Sequence, residues 1–355
     1  MTTRPDFGPN AWLIEEMYRS YVEDPESVSE TWREFFEDYE PREKEALAAE
    51  PSARETVPER QPAEPAPKTG KPPSEAPAPE PLGAEAEGET QEAERAPLTG
   101  PNRVIAQRME ESLGVPTATS VRSVPARLLE INRTILNRHL ARHQGGKVSF
   151  THLIGYAVAR ALTQMPGMNV TYDAIDGKPQ VVRHPHVNLG LAIDVKRDDG
   201  TRTLLVPNIK QADTLDFRGF HSAYEQLIRK MNANEFSPDD FAGTTVTITN
   251  PGMLGTVQSV PRLMAGQAAI VGVGSIDYPA EFQGADARAL ADIGVGKVLT
   301  LTSTYDHRVI QGAESGEFLG LVHRLLLGEE SFYESIFRSM GVSYVPVAWR
   351  LDVNP

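Results

Sequence analysis

Ten residues near the end of the chain decide how the fold is interpreted: Ser303-Thr304-Tyr305-Asp306-His307-Arg308-Val309-Ile310-Gln311-Gly312. The β-branched residues before them predict a strand at about 297–304, and the pattern after them predicts a helix at about 312–327. A strand end holds a histidine rigidly, and the turn that follows exposes its ring. Because imidazole changes its charge near neutral pH, His307 is a candidate general base. Asp306 and Arg308 flank it with opposite charges. The other seven histidines are interpreted as structural.

A second polar strand end lies earlier in the chain, in Gly243-Thr244-Thr245-Val246-Thr247-Ile248-Thr249-Asn250-Pro251-Gly252. Alternating threonine and apolar residues predict a strand that ends at Thr249 and Asn250. A hydroxyl at this position can donate a hydrogen bond to a developing oxyanion. The competing interpretation is that these threonines only form the strand, because β-branched residues favour extended backbone.

Several kinds of site and location are excluded by the sequence. The chain has no cysteine, so it has no disulfide, thiolate metal site or cysteine nucleophile. It has no Walker-type motif, and Gly272-Val273-Gly274 lacks the third glycine of a dinucleotide fingerprint. His184 and His186 have no nearby third ligand in the sequence, which argues against zinc. No apolar run is long enough to span a membrane, and no signal pattern opens the chain, so we expect a cytoplasmic protein.

The net charge of −14 is confined to the first hundred residues, which carry 24 acidic and 10 basic side chains. The remaining residues carry 25 of each and form no basic stripe, so nucleic-acid binding is not expected. Residues 41–100 contain 12 Pro, 12 Ala and 13 Glu and no aromatic residue, and we predict a disordered linker at 41–97.

Residues 1–40 predict two short helices with apolar side chains at helical spacing: Leu13, Ile14, Met17, Tyr18 and Tyr21 on the first, and Val28, Trp32, Phe35, Phe36 and Tyr39 on the second. Two short helices cannot bury so many aromatic residues against each other. The segment is therefore either a docking element for a partner or another domain, or an extension packed on its own body.

Residues 98–330 have the composition of an α/β domain in which helices and strands do not alternate strictly. Strands are expected near 187–194, 203–207, 244–250, 268–273 and 297–304, and helices near 128–140, 153–162, 214–231 and 312–327. Residues 331–355 carry no sequence feature that marks the end of a domain. We interpret them as a junction to a longer polypeptide, and the alternative is a structural tail lying on the domain.

Residues 98–330 resemble the catalytic domain of the dihydrolipoamide acyltransferases of 2-oxo acid dehydrogenase complexes. The resemblance is carried by Asp306-His307-Arg308 with Gly312, by Val246-Thr247-Ile248-Thr249-Asn250 in its succinyl-specific form, by the opening helix at 103–109, and by the segments at 203–207 and 212–215. It implies an α/β (α+β) fold related to chloramphenicol acetyltransferase, a two-layer sandwich of mixed sheet and helices.

The first forty residues resemble the N-terminus of 2-oxoglutarate dehydrogenase, through Asn10-Ala11-Trp12-Leu13, Asp24-Pro25-Glu26-Ser27-Val28 and Trp32-Arg33. The order of the two segments is similar to that of the fused 2-oxoglutarate dehydrogenases of actinobacteria. This implies that a thiamine-dependent decarboxylase part, with thiamine diphosphate and Mg²⁺, follows outside these 355 residues.

The resemblance implies succinyl transfer between a dihydrolipoyl thiol and coenzyme A, with His307 as base and Thr249 as oxyanion donor. It implies a homotrimer whose neighbouring subunits supply these two residues to one site. Asp306 and Arg308 are expected to hold the turn, with Asn250 in a supporting role. Gln311 departs from the aspartate usual at that position, which leaves open whether it weakens the site.

No lipoyl-domain pattern precedes the catalytic domain, so the lipoyl group is expected from another protein, the acyltransferase of a sister complex. Dihydrolipoamide dehydrogenase is the further expected partner. Two alternatives stay open. One is a catalytically weak scaffold that trimerises the decarboxylase and binds an acyl-CoA effector, which Gln311 motivates. The other is a free-standing acetyltransferase for a small hydroxyl compound.

Overall fold

The computed structural model describes residues 10–37, 101–143, 145–196, 202–264 and 266–347, together with Phe7, Tyr39 and Pro97. The chain divides into two units, one made of Met1–Tyr39 and Thr99–Pro355 and the other of Glu40–Leu98. Apart from Pro97, every described residue belongs to the first unit. The predicted linker therefore lies outside the described residues, with that one exception.

The helices of the first unit are α1 (Ala11–Glu23), α2 (Glu30–Glu37), α3 (Pro101–Leu113), α4 (Arg127–His143), α5 (Phe150–Gln164), α6 (Phe217–Ala233), α7 (Ala287–Asp292), α8 (Gly312–Leu326) and α9 (Phe332–Met340). The strands are β1 (Thr117–Pro125), β2 (Val170–Ile175), β3 (Lys178–Arg183), β4 (Leu189–Lys196), β5 (Arg202–Leu205), β6 (Asn208–Ile209), β7 (Val246–Thr249), β8 (Ala269–Val273) and β9 (Val298–Asp306). None of the described helices has the length and hydropathy that crossing a bilayer requires.

Seven of these strands form one sheet in the order β1-β9-β8-β7-β4-β5, with β6 paired to the start of β4. Strand β7 runs parallel to β4 and β8, and the other pairings are antiparallel. The mixed order explains why helices and strands do not alternate strictly along the sequence. Strands β2 and β3 pair only with each other among the described residues and form a separate hairpin.

The two faces of the sheet differ in character because side chains alternate along a strand. In β9, Leu299, Leu301 and Tyr305 join one large core with the apolar residues of α4, α5, α8 and α9. On the opposite face, the hydroxyl of Thr302 donates to the carbonyl of Ser259 at 2.9 Å, and Thr304 lies 2.9 Å from the hydroxyl of Thr119. Helices therefore cover one face, as expected for a two-layer α/β fold.

Helices α1 and α2 pack on the chain's own body. Their aromatic residues form a second apolar cluster with Leu205, Met231, Phe236 and Phe241. The side chain of Asn10, fully buried, donates to the carbonyl of Val206 and accepts its N–H, both at 2.9 Å. The indole N–H of Trp32 donates to the carbonyl of Phe236 at 2.9 Å. Of the two interpretations of this segment, the described contacts are those of an extension packed on its own body.

The core continues beyond residue 330, the predicted end of the domain. Helix α9 contributes Phe332, Tyr333, Ile336, Phe337 and Met340 to the main core, and Val342 follows them. Further on, the buried amide of Asn132 donates to the carbonyl of Val347 at 2.7 Å and accepts its N–H at 2.9 Å. Residues 332–347 therefore pack on the domain, and the rest of the predicted junction lies outside the described residues.

Candidate active site

His307 is exposed in the turn that follows β9. Its backbone N–H donates to the carbonyl of Pro116 at 2.9 Å, which ties the turn to the segment before β1. Its ring lies 5.5 Å from the ring of Tyr305. The N–H groups of Val309 and Ile310 both donate to the carbonyl of Asp306, at 3.2 and 3.0 Å. The backbone on both sides of the imidazole is thus fixed, while the imidazole itself is open to solvent.

Asp306 and Arg308 bind each other across the histidine. Asp306 is buried, and its carboxylate accepts from the Arg308 backbone N–H at 3.0 Å and from the guanidinium at 2.7, 2.9 and 3.1 Å. Hydrogen bonds from the guanidinium to this carboxylate raise the pKa of Arg308 above its usual value. The guanidinium also lies over the ring of Tyr172, 3.7 Å from its centroid. This is a charge-assisted pair in a fixed geometry, and it closes the turn around His307.

Gln311 is exposed at the start of α8, where its N–H donates to the Glu314 carboxylate at 3.1 Å. At the other candidate position, Thr249 is the half-buried last residue of β7. The side-chain amide of Asn250 donates to the hydroxyl of Thr151 in α5 at 2.8 Å. The segment that follows exposes four apolar side chains, Met253, Leu254, Val257 and Val260.

Thr249 and His307 lie at opposite ends of the sheet. Thr249 is level with Gly272 in β8, and Gly272 is level with Thr302 in β9. Asp306 lies four residues further along β9, which is about 13 Å at ~3.4 Å per residue. Crossing from β7 to β9 adds two strand spacings, about 10 Å. The two candidate residues are therefore separated by roughly 17 Å within one chain, too far to act on the same substrate atom.

A cavity of about 620 Å³ opens at the His307 end of the sheet, between the β2–β3 hairpin and the first residues of the central strands. Its lining includes the polar or aromatic residues Tyr172, His184, His186, Asn188, Gln211, Thr244, Thr245 and Gln267. Gln267 is 6% exposed, and its side-chain N–H₂ has no hydrogen-bond partner among the described residues. The next residue, Ala268, accepts the backbone N–H of Asp306 at 2.9 Å, so the cavity adjoins the histidine turn.

The remaining histidines in this region have local partners. The Nε2 atom of His184 lies 3.1 Å from the hydroxyl of Thr171, and burial lowers its pKa. The Nδ1 atom of His186 lies 3.1 Å from the carboxylate of Asp213. The Asp306 and Arg308 side chains are paired with each other, and their role in holding the turn stays a prediction. Tyr172 and Gln267 were not among the sequence candidates, because neither stands in a motif.

His152, His221 and Glu225 form a cluster whose ligand atoms are close enough to surround a metal ion. The Nδ1 atom of His152 accepts the backbone N–H of Ser149 at 3.0 Å, as part of the N-terminal cap of α5. A neutral ring that accepts at Nδ1 carries its proton on Nε2, the atom that faces Glu225 at 3.2 Å. Burial, and then the neighbouring His221, lower the pKa of His152 to about 3. These facts describe a capping histidine rather than a ligand.

Comparison with known proteins gives two family matches. Residues 90–332 match the model of the 2-oxoacid dehydrogenases acyltransferase catalytic domain, and residues 7–43 match that of the 2-oxoglutarate dehydrogenase N-terminus. A relative from Mycolicibacterium vanbaalenii, described as a multifunctional 2-oxoglutarate metabolism enzyme, is 48% identical over 384 residues. All of this chain is covered, but the chain spans only 30% of that relative's length.

Solved structures with the same fold include the cubic core of a pyruvate dehydrogenase multienzyme complex, which is 27% identical with a TM-score of 0.57. The match covers 71% of this chain and 98% of that one. The dihydrolipoamide acetyltransferase of Azotobacter vinelandii is 25% identical with the same TM-score, covering 73% and 98% of the two chains. Its description names a serine, a histidine and an asparagine in the catalytic mechanism, and the asparagine is numbered four positions after the histidine.

Proposed function

Because this chain belongs to the family of 2-oxoacid dehydrogenase acyltransferases, whose catalytic-domain model matches residues 90–332, we propose that it transfers a succinyl group between a dihydrolipoyl thiol and coenzyme A. The observation that carries the proposal is the exposed imidazole of His307 in a turn closed by the Asp306–Arg308 pair. The succinyl group is inferred from the 2-oxoglutarate dehydrogenase segment at residues 7–43 and from the description of the Mycolicibacterium relative.

In the proposed reaction, His307 removes the proton from the attacking thiol, because a thiol is a weak nucleophile until it is deprotonated. The sulfur attacks the thioester carbonyl, and the carbonyl oxygen becomes an oxyanion. The hydroxyl of Thr249 donates a hydrogen bond to that oxygen. When the tetrahedral intermediate breaks down, the other thiol leaves as a thiolate and takes the proton back from His307. No proton or electron is gained or lost overall.

The separation of roughly 17 Å between these two residues in one chain supports a site built from two copies. We infer a closed oligomer, a trimer, in which Thr249 of one subunit faces His307 of the next. The exposed apolar segment after Thr249 favours such an interface, because Met253 and Leu254 are 80% and 73% exposed. The cores of multienzyme complexes among the structural relatives agree with an oligomer.

Gln311 does not count against catalysis in this proposal. The Azotobacter enzyme has an asparagine, not an aspartate, at the same spacing from its histidine. A neutral amide at that position is therefore compatible with transfer. This supports an active enzyme over a scaffold that keeps only the fold.

The chain is proposed to act within a longer polypeptide, because it spans only 30% of its Mycolicibacterium relative. We propose that thiamine diphosphate and Mg²⁺ belong to the part not included here. The lipoyl group would come from the acyltransferase of a sister complex, and dihydrolipoamide dehydrogenase would reoxidise it. Residues 41–97 would act as a linker between the N-terminal helices and the catalytic domain.

The experiment is succinyl transfer from succinyl-CoA to dihydrolipoamide, with the product thioester identified by mass spectrometry. His307→Ala should lower kcat by about 100- to 10,000-fold, the usual contribution of a general base. His143→Ala, which removes an exposed histidine at the end of α4, is the matched control and should leave kcat unchanged. Equal rates for the wild type and His307→Ala would refute the mechanism.

The same assay with acetyl-CoA tests the acyl group. A wild-type kcat/KM at least tenfold higher for succinyl-CoA supports the succinyl assignment. A preference for acetyl-CoA would leave the family assignment intact and would refute the succinyl one.

A further inference from the structure

The guanidinium of Arg308 lies between two groups on different parts of the fold. On one side it binds the carboxylate of Asp306 with three hydrogen bonds. On the other it lies 3.7 Å from the centre of the Tyr172 ring, in β2. Tyr172 is 136 positions before Arg308, and no motif links the two residues. This cation–π contact connects the β2–β3 hairpin directly to the turn that carries His307.

Tyr172 also lines the 620 Å³ cavity at this end of the sheet. It is half-buried, and Val181 stands opposite it in the register of the hairpin. The hairpin pairs with no other strand among the described residues, so its position depends on contacts such as this one. A change in the cavity that moves the Tyr172 ring would therefore alter its contact with the Arg308 guanidinium.

The Asp306–Arg308 pair needs support on its open side. The Arg308 side chain is 34% exposed, whereas that of Asp306 is 3% exposed. A partly exposed arginine can rotate into water, and that rotation would leave a buried carboxylate with fewer hydrogen bonds. An aromatic ring over the guanidinium face opposes this rotation, because the ring attracts the cation and excludes water from one face.

We propose that Tyr172 is a positioning residue for the acyl-transfer reaction: by stacking on Arg308 it holds the Asp306–Arg308 pair closed and so fixes the orientation of His307. This inference rests on the proposed function of His307 as the base. The tyrosine itself exchanges no proton with the substrate. It acts through Arg308, and it extends the support of the histidine turn to the wall of the adjoining cavity.

Four variants of the whole chain test the proposal in the succinyl-transfer assay. Tyr172→Leu removes the ring and should lower kcat about 3- to 30-fold, the effect of losing a partly desolvated cation–π contact, with KM changed less than about twofold. Tyr172→Phe keeps the ring and should stay within about twofold of the wild type. Val181→Ala, opposite Tyr172 in the hairpin, controls for loosening of the hairpin and should also stay within about twofold. Arg308→Lys keeps the charge but loses the forked hydrogen bonds.

The double variant Tyr172→Leu/Arg308→Lys decides whether Tyr172 acts through Arg308. We expect kcat to fall little further than in Arg308→Lys alone, because the forked Asp306–Arg308 pair that the ring is proposed to hold has already been lost. Independent, multiplicative losses would overturn the proposal, as would an unchanged kcat in Tyr172→Leu. Equal losses in Tyr172→Leu and Val181→Ala would also overturn it, since hairpin stability would then explain both. A wild type that transfers no acyl group would instead refute the proposed function itself.

Discussion

Two inactive variants, His307→Ala and Thr249→Ala, should restore each other's succinyl transfer when their subunits share one oligomer. The strand register separates the two residues by roughly 17 Å within a chain, so each variant lacks a different half of the proposed site. Removing an oxyanion donor costs about 100- to 1,000-fold in kcat, and removing the base costs about 100- to 10,000-fold. Each variant alone should therefore show almost no succinyl transfer.

The recovered activity follows from counting interfaces. In a closed oligomer, each interface takes its histidine from one chain and its hydroxyl from the next. In an equal mixture, about half of the chains offer an intact His307, and about half of the neighbours offer an intact Thr249. About one quarter of the sites are then complete, so the mixture should reach about 25% of wild-type kcat.

The assay uses co-expression of the two variants at equal levels, followed by purification over one affinity tag common to both chains, so that all combinations of subunits are retained. A wild-type chain mixed with the His307→Ala/Thr249→Ala double variant calibrates the exchange, because it also leaves about one quarter of the interfaces intact. If this calibration gives the expected quarter while the complementing mixture stays at the level of the single variants, the two-copy site is wrong. The base and the oxyanion donor would then have to be sought within one subunit.

Two further predictions concern stability. Asn10→Ala should lower the free energy of unfolding, measured by urea denaturation, by about 2–4 kcal/mol. The reason is that the buried N–H and carbonyl of Val206 would lose their hydrogen-bond partner. A loss below about 0.5 kcal/mol would contradict the anchoring role of Asn10. Burial lowers the pKa of His152 to about 3 in the folded chain. Below pH ~6.5 the unfolded chain therefore takes up a proton that the folded chain does not, and the free energy of unfolding decreases as the pH is lowered. Lowering the pH from 7.5 to 5 should therefore reduce the free energy of unfolding by about 2 kcal/mol through this residue alone. His152→Gln should lack that part of the pH dependence. Denaturation curves of both proteins at the two pH values would measure the difference.

The sequence predicted the strand, turn and helix around His307 because their signals are local. Alternating apolar and β-branched residues mark β9, and the helical spacing that follows marks α8. The β2–β3 hairpin was not predicted, because β3 is mostly exposed and only the first two residues of β2 are buried, so neither strand shows a clear apolar alternation. The Asp176-Gly177 turn between them was the available signal, with positive φ values of 52° and 72°.

The long-range contacts could not be read from the sequence. The aromatic residues of α1 and α2 indicated that a surface must cover them, but only the fold identifies Leu205, Met231, Phe236 and Phe241 as that surface. The separation of Thr249 from His307 follows from strand order, which local patterns do not encode. The contact between Tyr172 and Arg308 likewise depends on where the hairpin folds back, since nothing in either segment specifies the other.

The packing of α1 and α2 on the body has a practical consequence for anyone who trims the chain. A fragment beginning near residue 98 would start at the domain boundary predicted from the sequence, yet it would leave the phenylalanines at 236 and 241 facing water. It would also lose the indole that caps the carbonyl of residue 236. Such a fragment should aggregate through its exposed apolar patch, and this aggregation would not be evidence against the acyltransferase fold itself. Solubility would return when residues 1–40 are retained.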